Sequence, residues 1–452
     1  METRKNYLKH VFAAAFFAAA IRLLLLFSIG PQFELDTASY LRTAGTLRDT
    51  GSFSDIDQLT GKLAPYAYRM PLFQTMTAGL MAVFGEDIAW PLAVVNVLLS
   101  VCTVPLAMAV IGAVSTPPAA IVTGYLAALN PNSVFNSVLL LTDPLFSFFS
   151  LVTLIAGIYA LKRRSLRWFF LWGLTIGLCV MVRPILKYYW LVPFLLAVPP
   201  LFKAPWKRGF VCALFAAAGV AAVLLPWSAR NLCQAGFFGL ELNQGVNTLW
   251  STVGLVRPST PEQRRSDSRL AEIRDIVAGN SNSLVAEGEV RKKMGLSLVE
   301  TNASFTRLGI ETILANPGAV SLIYLRNFIN IVTSPVAVME LAKRLRGKNA
   351  DYFPPVSAAL SSLNWETLAV NLGTRLIQGL VFFVCAPLGA LILWRNAASA
   401  EKLSLLLLFS MVVYSLFLTS MVAGYDRYRL PLDPLLLGFA SAWLLRRFFP
   451  ES

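Results

Sequence analysis

Two carboxylates and several arginines are the residues of this 452-residue chain whose types and places could do chemistry. Asp36, in Phe33-Glu34-Leu35-Asp36-Thr37-Ala38-Ser39-Tyr40, follows the first long apolar run, 11–30. It opens a stretch in which Tyr40, Thr43, Ala44 and Leu47 recur at helical spacing as far as Gly51. Asp143, in Leu141-Thr142-Asp143-Pro144-Leu145, begins another apolar run. Each carboxylate has two readings. At a helix start it caps backbone N–H groups, and Pro144 suits the first helical position. Meeting at one surface, the pair could instead deprotonate a hydroxyl or bind a cation. The arginines sit at the ends of apolar runs, beside Pro or Tyr: Arg69 before Met70-Pro71-Leu72, Arg183-Pro184, Arg230-Asn231 after Pro226-Trp227, and Arg427-Tyr428-Arg429 before Leu430-Pro431. A guanidinium grips phosphate with two parallel hydrogen bonds, so converging arginines suit a phosphorylated ligand. The plainer reading is anchoring by snorkelling, which fits any one of them taken singly. Four run ends in the same company favour the ligand.

The elements that must position these residues are membrane helices. The chain is 56% hydrophobic and only 14% charged, with a mean hydropathy of +0.61, whereas soluble domains are nearer a quarter charged. Apolar runs of roughly 18 residues recur, each enough to cross a ~30 Å hydrocarbon layer as a helix. The first run carries Arg22 mid-span and lacks a small-residue cleavage site, so it reads as a span rather than a secretory leader. The formal charge of +14 invites a nucleic-acid partner, but its distribution excludes one. The basic excess gathers beside spans: Arg4-Lys5 with Lys9, Lys162-Arg163-Arg164 with Arg167, Lys203 with Lys207-Arg208, and Arg446-Arg447. That is the positive-inside pattern, and it marks the cytoplasmic face. The five cysteines show no metal-ligand spacing, and only Cys233 falls in a loop, so no structural disulfide is expected. The one histidine, His10, sits at the cytoplasmic end of the first span, which excludes histidine acid–base chemistry on the outer face.

The charge rule predicts an all-α integral membrane protein with both termini in the cytoplasm and about ten spans: 11–30, 89–113, 119–133, 138–160, 167–183, 186–202, 209–227, 370–393, 403–422 and 430–447. Residues 1–227 then form a seven-span module with an outer loop at 31–88, residues 228–369 an outer helical segment, and residues 370–452 a three-span module. Within the loop, 71–84 reads as a short helix along the interface, stopped by Gly85. In the outer segment, Thr260-Pro261-Glu262 is a helix start and Gly279-Asn280 a stop. Asn316-Pro317 breaks the chain before 319–332. That stretch would make an eleventh span, but Arg326 and Asn327 interrupt it, which favours an amphipathic helix on the outer surface. In this path Asp36, Arg69, Asp143, Arg183, Arg230 and Arg427 all reach the outer face.

In order, spacing and sidedness, these residues resemble the GT-C superfamily of membrane glycosyltransferases, nearest the bacterial relatives of protein O-mannosyltransferases and of the lipid A aminoarabinose transferase. The series is Asp36-x-x-x-Tyr40-x-x-x-Ala44, Tyr68-Arg69-Met70-Pro71-Leu72, Thr142-Asp143-Pro144-Leu145, Gly173 through Arg183-Pro184, Pro226-Trp227-Ser228-Ala229-Arg230-Asn231, Asn316-Pro317, and Arg427-Tyr428-Arg429-Leu430-Pro431. The resemblance implies a one-step inverting transfer from a polyprenyl-phosphate sugar to a hydroxyl of a glycolipid, glycan or protein, in the bacterial inner membrane. It implies Asp36 as base or acceptor-orienting group, with Asp143 in support. Tyr40, Arg69, Arg183, Arg230, Arg427, Tyr428 and Arg429 would then bind substrate. Many relatives carry Asp-Glu where this chain has Asp36-Thr37, and an acidic-basic pair where it has Tyr68-Arg69. Two acidic groups are thus missing, which weakens the case for a divalent cation, and no metal or other cofactor is assigned. Two rivals stand beside this reading. A lipid or glycan transporter or flippase would carry charges deep in its spans and repeats between halves, whereas only Arg22 and Arg375 are deep and no repeat is found. A glycan polymerase or ligase would use a pyrophosphate-linked donor.

Overall fold

The computed structural model describes residues 2–57, 60–197, 205–345 and 365–449. The chain starts with α1 (Glu2–Ile29), which turns Phe12, Phe16, Leu24 and Phe27 outward and buries Arg22 completely. A charge inside and phenyl rings outside is the arrangement of a helix solvated by lipid. Arg22 donates to Ser100 Oγ and Ser133 Oγ, both at 2.8 Å, and to the Ala128 carbonyl at 3.0 Å. That carbonyl belongs to the last turn of α5 (Pro117–Leu129), whose orphan acceptors need donors.

The first loop forms α2 (Leu35–Thr50), a hairpin of β1 (Ser54–Ile56) and β2 (Leu63–Pro65), and α3 (Leu72–Phe84). Gly51 stops α2 at φ 66°, a left-handed conformation that glycine adopts without strain, and its N–H reaches Leu47 O at 2.9 Å. Gly85 ends α3, as expected. The hairpin carries no sequence signal of the kind that marked the helices.

Among the described residues six helices are long and apolar enough to cross a membrane, a seventh being added if one bent pair is a single span. They are Lys5–Ile29, α4 (Ala89–Gly112), α7 (Asp143–Arg163), α10 (Trp206–Ala235), α18 (Trp365–Asn396) and the Glu401–Ser420 part of α19 (Ser399–Ser420). The other four expected spans are shorter. α5 has 13 residues, α8 (Leu166–Val182) has 17 and α20 (Asp433–Phe448) has 16. Residues 186–202 contribute a 3₁₀ turn and α9 (Val192–Ala197), the remainder lying outside the described residues. At 1.5 Å per residue, 13 residues reach about 20 Å. Prolines set the ends of α5 and α8, since Pro131 and Pro184 cannot continue the helices before them. Hydropathy counts apolar residues and is blind to that break. α10, by contrast, runs through Pro226 and eight residues beyond the expected end at 227, so Arg230 is helical.

The segment expected on the outer side, α11 (Gln244–Trp250) to α15 (Leu298–Ala315), has its own core around Leu249, Ile273, Val290 and Phe305. Thr260 caps a helix as expected, but the carboxylate of Asp267 takes the Leu270 N–H at 3.0 Å and splits it into two, Pro261–Ser266 and Ser268–Ala278. The segment is fastened to the first loop by Tyr68 Oη donating to Glu287 at 3.0 Å and by Arg291 paired with Asp57 at 2.7 Å. At Asn316 the chain bends by 103° into α16 (Pro317–Thr333). Asn327, which with Arg326 interrupts the apolar run 319–332, is buried and donates to Ser420 O at 2.9 Å, while Leu322 and Leu325 face outward. The polar residue that interrupts the run ties the helix to the bundle.

α8 and α10 cross with their backbones touching. A Cβ on Gly173 would run into the Ala216 carbonyl, and one on Gly219 into the Phe170 carbonyl. Small residues permit this approach, and in lipid such packing is a main source of association. Gly173→Ala should therefore force the helices apart and cost about 1–3 kcal/mol or more. The check is the thermal midpoint of the purified protein in detergent; an unshifted midpoint would show that the two backbones are not in contact.

Candidate active site

One end of the bundle gathers the C-termini of α1, α8, α10 and α19 and the N-termini of α7 and α20. That parity brings residues from the whole chain to one cavity of about 440 Å³. Asp36 comes from the first turn of α2, Tyr40 from the next turn, and Arg69 from the approach to α3. Arg183 is the residue that ends α8, and Arg427 and Tyr428 lie on the 3₁₀ turn Asp426–Arg429.

Asp36 bridges two guanidiniums. Arg69 Nη2 donates to Oδ1 at 2.8 Å, and Arg427 Nη2 lies 3.6 Å from Oδ2. Arg69 also donates to Tyr40 Oη at 3.0 Å, its guanidinium 4.9 Å from the ring centroid. Burial alone would raise the Asp36 carboxyl, but Arg69, with Arg427 and Arg183, outweighs it and holds the group below its ordinary value. The helix cap that Asp36 could have been is Glu34, whose backbone N–H donates to Thr37 Oγ1 at 3.0 Å.

Arg183 is braced from behind. Its Nε donates to Thr142 Oγ1 at 2.8 Å and its Nη2 to Asp143 Oδ2 at 2.6 Å, while its guanidinium lies 5.8 Å from the Phe146 ring and 5.9 Å from that of Tyr428. The Asp143 side chain is fully buried, and its Oδ1 has no hydrogen-bond partner. Asp143 therefore does not line the cavity. Expected as a catalytic partner, it instead positions Arg183, because the first turn of α7 packs beneath that arginine.

Two more expected ligands of substrate lie elsewhere. Arg230 donates to the carbonyls of Phe53 and Tyr66 and lies 4.9 Å from the Trp227 ring, so it clamps the β-hairpin to α10. Arg429 is 1% exposed, pairs with Asp433 at 2.5 Å, and donates to the carbonyls of Ile331 and Val332 at the end of α16. Backbone acceptors that lipid cannot satisfy claim both guanidiniums. Sequence could not separate these from Arg183 and Arg427, since all four share the same Pro and Tyr company.

Sequence reading also missed most of the lining. The turn after α8 supplies Lys187 and Tyr188, the loop after α10 supplies Glu241 and Asn243, and α16 supplies Tyr324. Glu241 stands between two leucines in a loop, with no motif around it. Burial pushes its carboxyl up to about 7, against the opposing pull of Lys187 and Arg69. The lining thus sets four cations (Arg69, Arg183, Lys187, Arg427) against two carboxylates (Asp36, Glu241). Among the described residues no three His, Cys, Asp or Glu side chains converge as a cation would require. Asp36 and Asp143 both face guanidiniums, so they do not form a metal's donor set.

The buried Arg429–Asp433 pair yields a test of its structural role. Asp433 also accepts from Asn130 and Asn132, both at 2.9 Å. Arg429→Ala should leave that carboxylate uncompensated and cost about 3–5 kcal/mol, whereas the double change Arg429→Met with Asp433→Leu should recover part of it. Thermal midpoints of the three proteins decide, and a stable Arg429→Ala protein would return this arginine to the candidate ligands.

No protein-family model matches the chain, and no curated protein matches its sequence. Solved structures do. The oligosaccharyltransferase of Archaeoglobus fulgidus in its apo form superposes at a TM-score of 0.53 and 15% identity, over 97% of this chain and 50% of that one. The archaeal oligosaccharyltransferase AglB from the same organism, in complex with an inhibitory peptide and a dolichol-phosphate, gives 0.53 at 14% identity, over 98% and 50%. ArnT from Cupriavidus metallidurans bound to undecaprenyl phosphate aligns over 95% of this chain and 77% of that one, but at 0.40 and 13% identity the likeness is too loose to weigh. The chain spans about half the length of the archaeal enzymes it matches. Identity at this level speaks to fold alone, and fold does not fix function. The chain shares its fold with these archaeal oligosaccharyltransferases.

Proposed function

We propose that this protein is a membrane glycosyltransferase that moves a sugar from a polyprenyl-phosphate donor to an acceptor hydroxyl, with inversion, at the outer face of the membrane. The observation that carries the reading is the pair of guanidiniums, Arg69 and Arg427, held on either side of Asp36 in a cationic cavity at one end of a bundle of membrane helices. In the reaction the bond between the anomeric carbon and the phosphate oxygen breaks, and negative charge grows on the phosphate. Cations fixed in advance, in a site sheltered from water, stabilise that charge most where it develops. Arg427, Arg69 and Arg183 are placed for this. The acceptor oxygen attacks from the opposite side of the anomeric carbon, which inverts it. Asp36, kept charged by its neighbours, suits aligning the arginines and the acceptor better than taking a proton. The archaeal relative in complex with a dolichol-phosphate supports a lipid phosphate as the donor's handle.

The transport reading has less to stand on. Arg22 is consumed by the end of α5, and Arg375 donates to Asn371 Oδ1 at 3.0 Å and Asn330 Oδ1 at 3.3 Å. Neither deep charge is left facing a path through the bundle. A pyrophosphate-linked donor, as a polymerase or ligase would use, is separated from the monophosphate by competition binding.

Undecaprenyl phosphate binding to the protein in lipid nanodiscs should weaken by roughly ten- to a hundredfold in Arg183→Ala and in Arg427→Ala, matching about 1.5–3 kcal/mol for a lost charge-assisted hydrogen bond. Lysine at either position restores charge without the two-pronged grip, so rescue should be partial. Unchanged binding in both alanine variants would reduce these arginines to interfacial anchors, and tighter binding of the pyrophosphate would favour the ligase.

Asp36→Asn leaves the Glu34 cap in place and keeps side-chain size. With its charge gone, the arginines and acceptor lose alignment, and turnover should fall by about a hundredfold. Near-normal transfer by this variant would take Asp36 off the list of catalytic groups.

A further inference from the structure

The cavity contains two carboxylates with opposite circumstances. Asp36 is bound by two arginines. Glu241 makes no hydrogen bond and no ion pair with a described residue, although its place is tightly fixed. On one side of it Leu240 O accepts the Trp227 Nε1–H at 2.9 Å; on the other the Leu242 N–H donates to Ala67 O at 2.8 Å. The chain is therefore pinned immediately before and after Glu241, and the side chain between lines the cavity. The cations within reach are engaged elsewhere. Lys187 Nζ donates to Gln244 Oε1 at 3.1 Å, and Arg69 is taken by Asp36 and Tyr40. Arg183 and Arg427, with Tyr188 and Tyr324, line the same cavity.

A half-buried carboxylate that lines a cavity of cations, is held between two pinned neighbours and has no partner of its own is open to a group entering that cavity. Two carboxylates whose surroundings push them apart are the pattern of divided acid–base labour. Asp36 is held down by its arginines and is a poor proton acceptor. Glu241, pushed up to about 7, can accept a proton near neutral pH.

We propose that Glu241 is the general base of the reaction, taking the acceptor hydroxyl's proton directly. This rests on the glycosyl-transfer reading above. As the acceptor oxygen bonds to the anomeric carbon, its proton passes to the Glu241 carboxylate. The anomeric carbon–phosphate oxygen bond breaks, and its electron pair leaves on the lipid phosphate. One bond forms, one breaks, and the proton departs to solvent through the cavity mouth. The acceptor accordingly lies on the side of the cavity built by the loop after α10, and the donor phosphate on the side of Arg183 and Arg427.

The test compares wild type, Glu241→Gln and Glu241→Asp in nanodiscs. Undecaprenyl phosphate serves for binding, and undecaprenyl-phosphate-linked hexoses and pentoses, with cell-envelope glycolipid as acceptor, serve for transfer. The wild-type rate should fall as pH drops through about 7, because a protonated Glu241 cannot accept a proton. Glu241→Gln should bind undecaprenyl phosphate undiminished, turn over at least about a hundredfold more slowly, and show no acid limb in that range. Glu241→Asp should recover part of the rate together with the limb. Infrared titration of the carboxyl stretch reads the same group without turnover, and should show one carboxyl titrating near neutrality that the Gln variant lacks. A Glu241→Gln enzyme with wild-type rate or an intact acid limb, or a wild type with no such titrating carboxyl, overturns the assignment while leaving glycosyl transfer standing. A wild type that binds no polyprenyl phosphate and transfers no sugar overturns both.

Discussion

A charged group next to lipid has to be answered by protein, because hydrocarbon offers it nothing. Asp36 is where that constraint is met with the widest consequences. Its two oxygens face Arg69, 33 residues on, and Arg427, near the other end of the chain. The contact closes the first loop over the end of the bundle and ties it to the turn between α19 and α20. Arg183 and Tyr428 stack beneath it, so the cavity wall is built from three distant stretches held in register by charge. Were the three apart, each charge would need a separate partner or water.

The same constraint sorts the arginines. Arg22, Arg230 and Arg429 each donate to backbone carbonyls, at the end of α5, on the hairpin and at the end of α16. They substitute for the water that would satisfy those acceptors in a soluble protein. Arg69, Arg183 and Arg427 donate to no backbone carbonyl of a described residue; their partners are side chains, and all three line the cavity. A guanidinium bound to a carbonyl is fixed for good. One bound to a side chain at a cavity edge can exchange that partner for an incoming phosphate.

This division explains what was legible in the sequence. Helix ends at Gly51 and Gly85 follow from local backbone chemistry, and the structure ends α2 and α3 there. The meeting of Asp36, Arg69, Arg183 and Arg427 followed from counting spans, since sidedness depends on their parity and not on their length. The expected span 119–133 came out as Pro117–Leu129 for the complementary reason, that hydropathy does not register the proline break at Pro131. Asp143 and Arg429 were out of reach because burial beneath another residue is a tertiary fact with no local signature. Glu241 was hidden more deeply. The role proposed for it rests on the absence of a partner among the described residues and on two neighbours pinned by Trp227 and Ala67, neither of which leaves a pattern in sequence.

The charge of the cavity carries the argument one step further. With Asp143 buried behind Arg183, the cations and carboxylates nearly offset where Arg183 sits, and the remaining excess belongs to Arg69, Lys187 and Arg427 against Asp36 and Glu241. An excess of positive charge in a partly enclosed space repels itself until an anion arrives. On the proposed reading a lipid phosphate removes that repulsion on binding, and its added charge as the glycosidic bond breaks is met by guanidiniums already in place. Asp36 between two of them keeps the site ordered beforehand, so little reorganisation remains for the moment of transfer. Glu241 gains from the same arrangement. On the proposed reading the arginines are committed to phosphate and to Asp36, which leaves Lys187, bound to the neutral Gln244, as the cation whose pull on Glu241 burial outweighs.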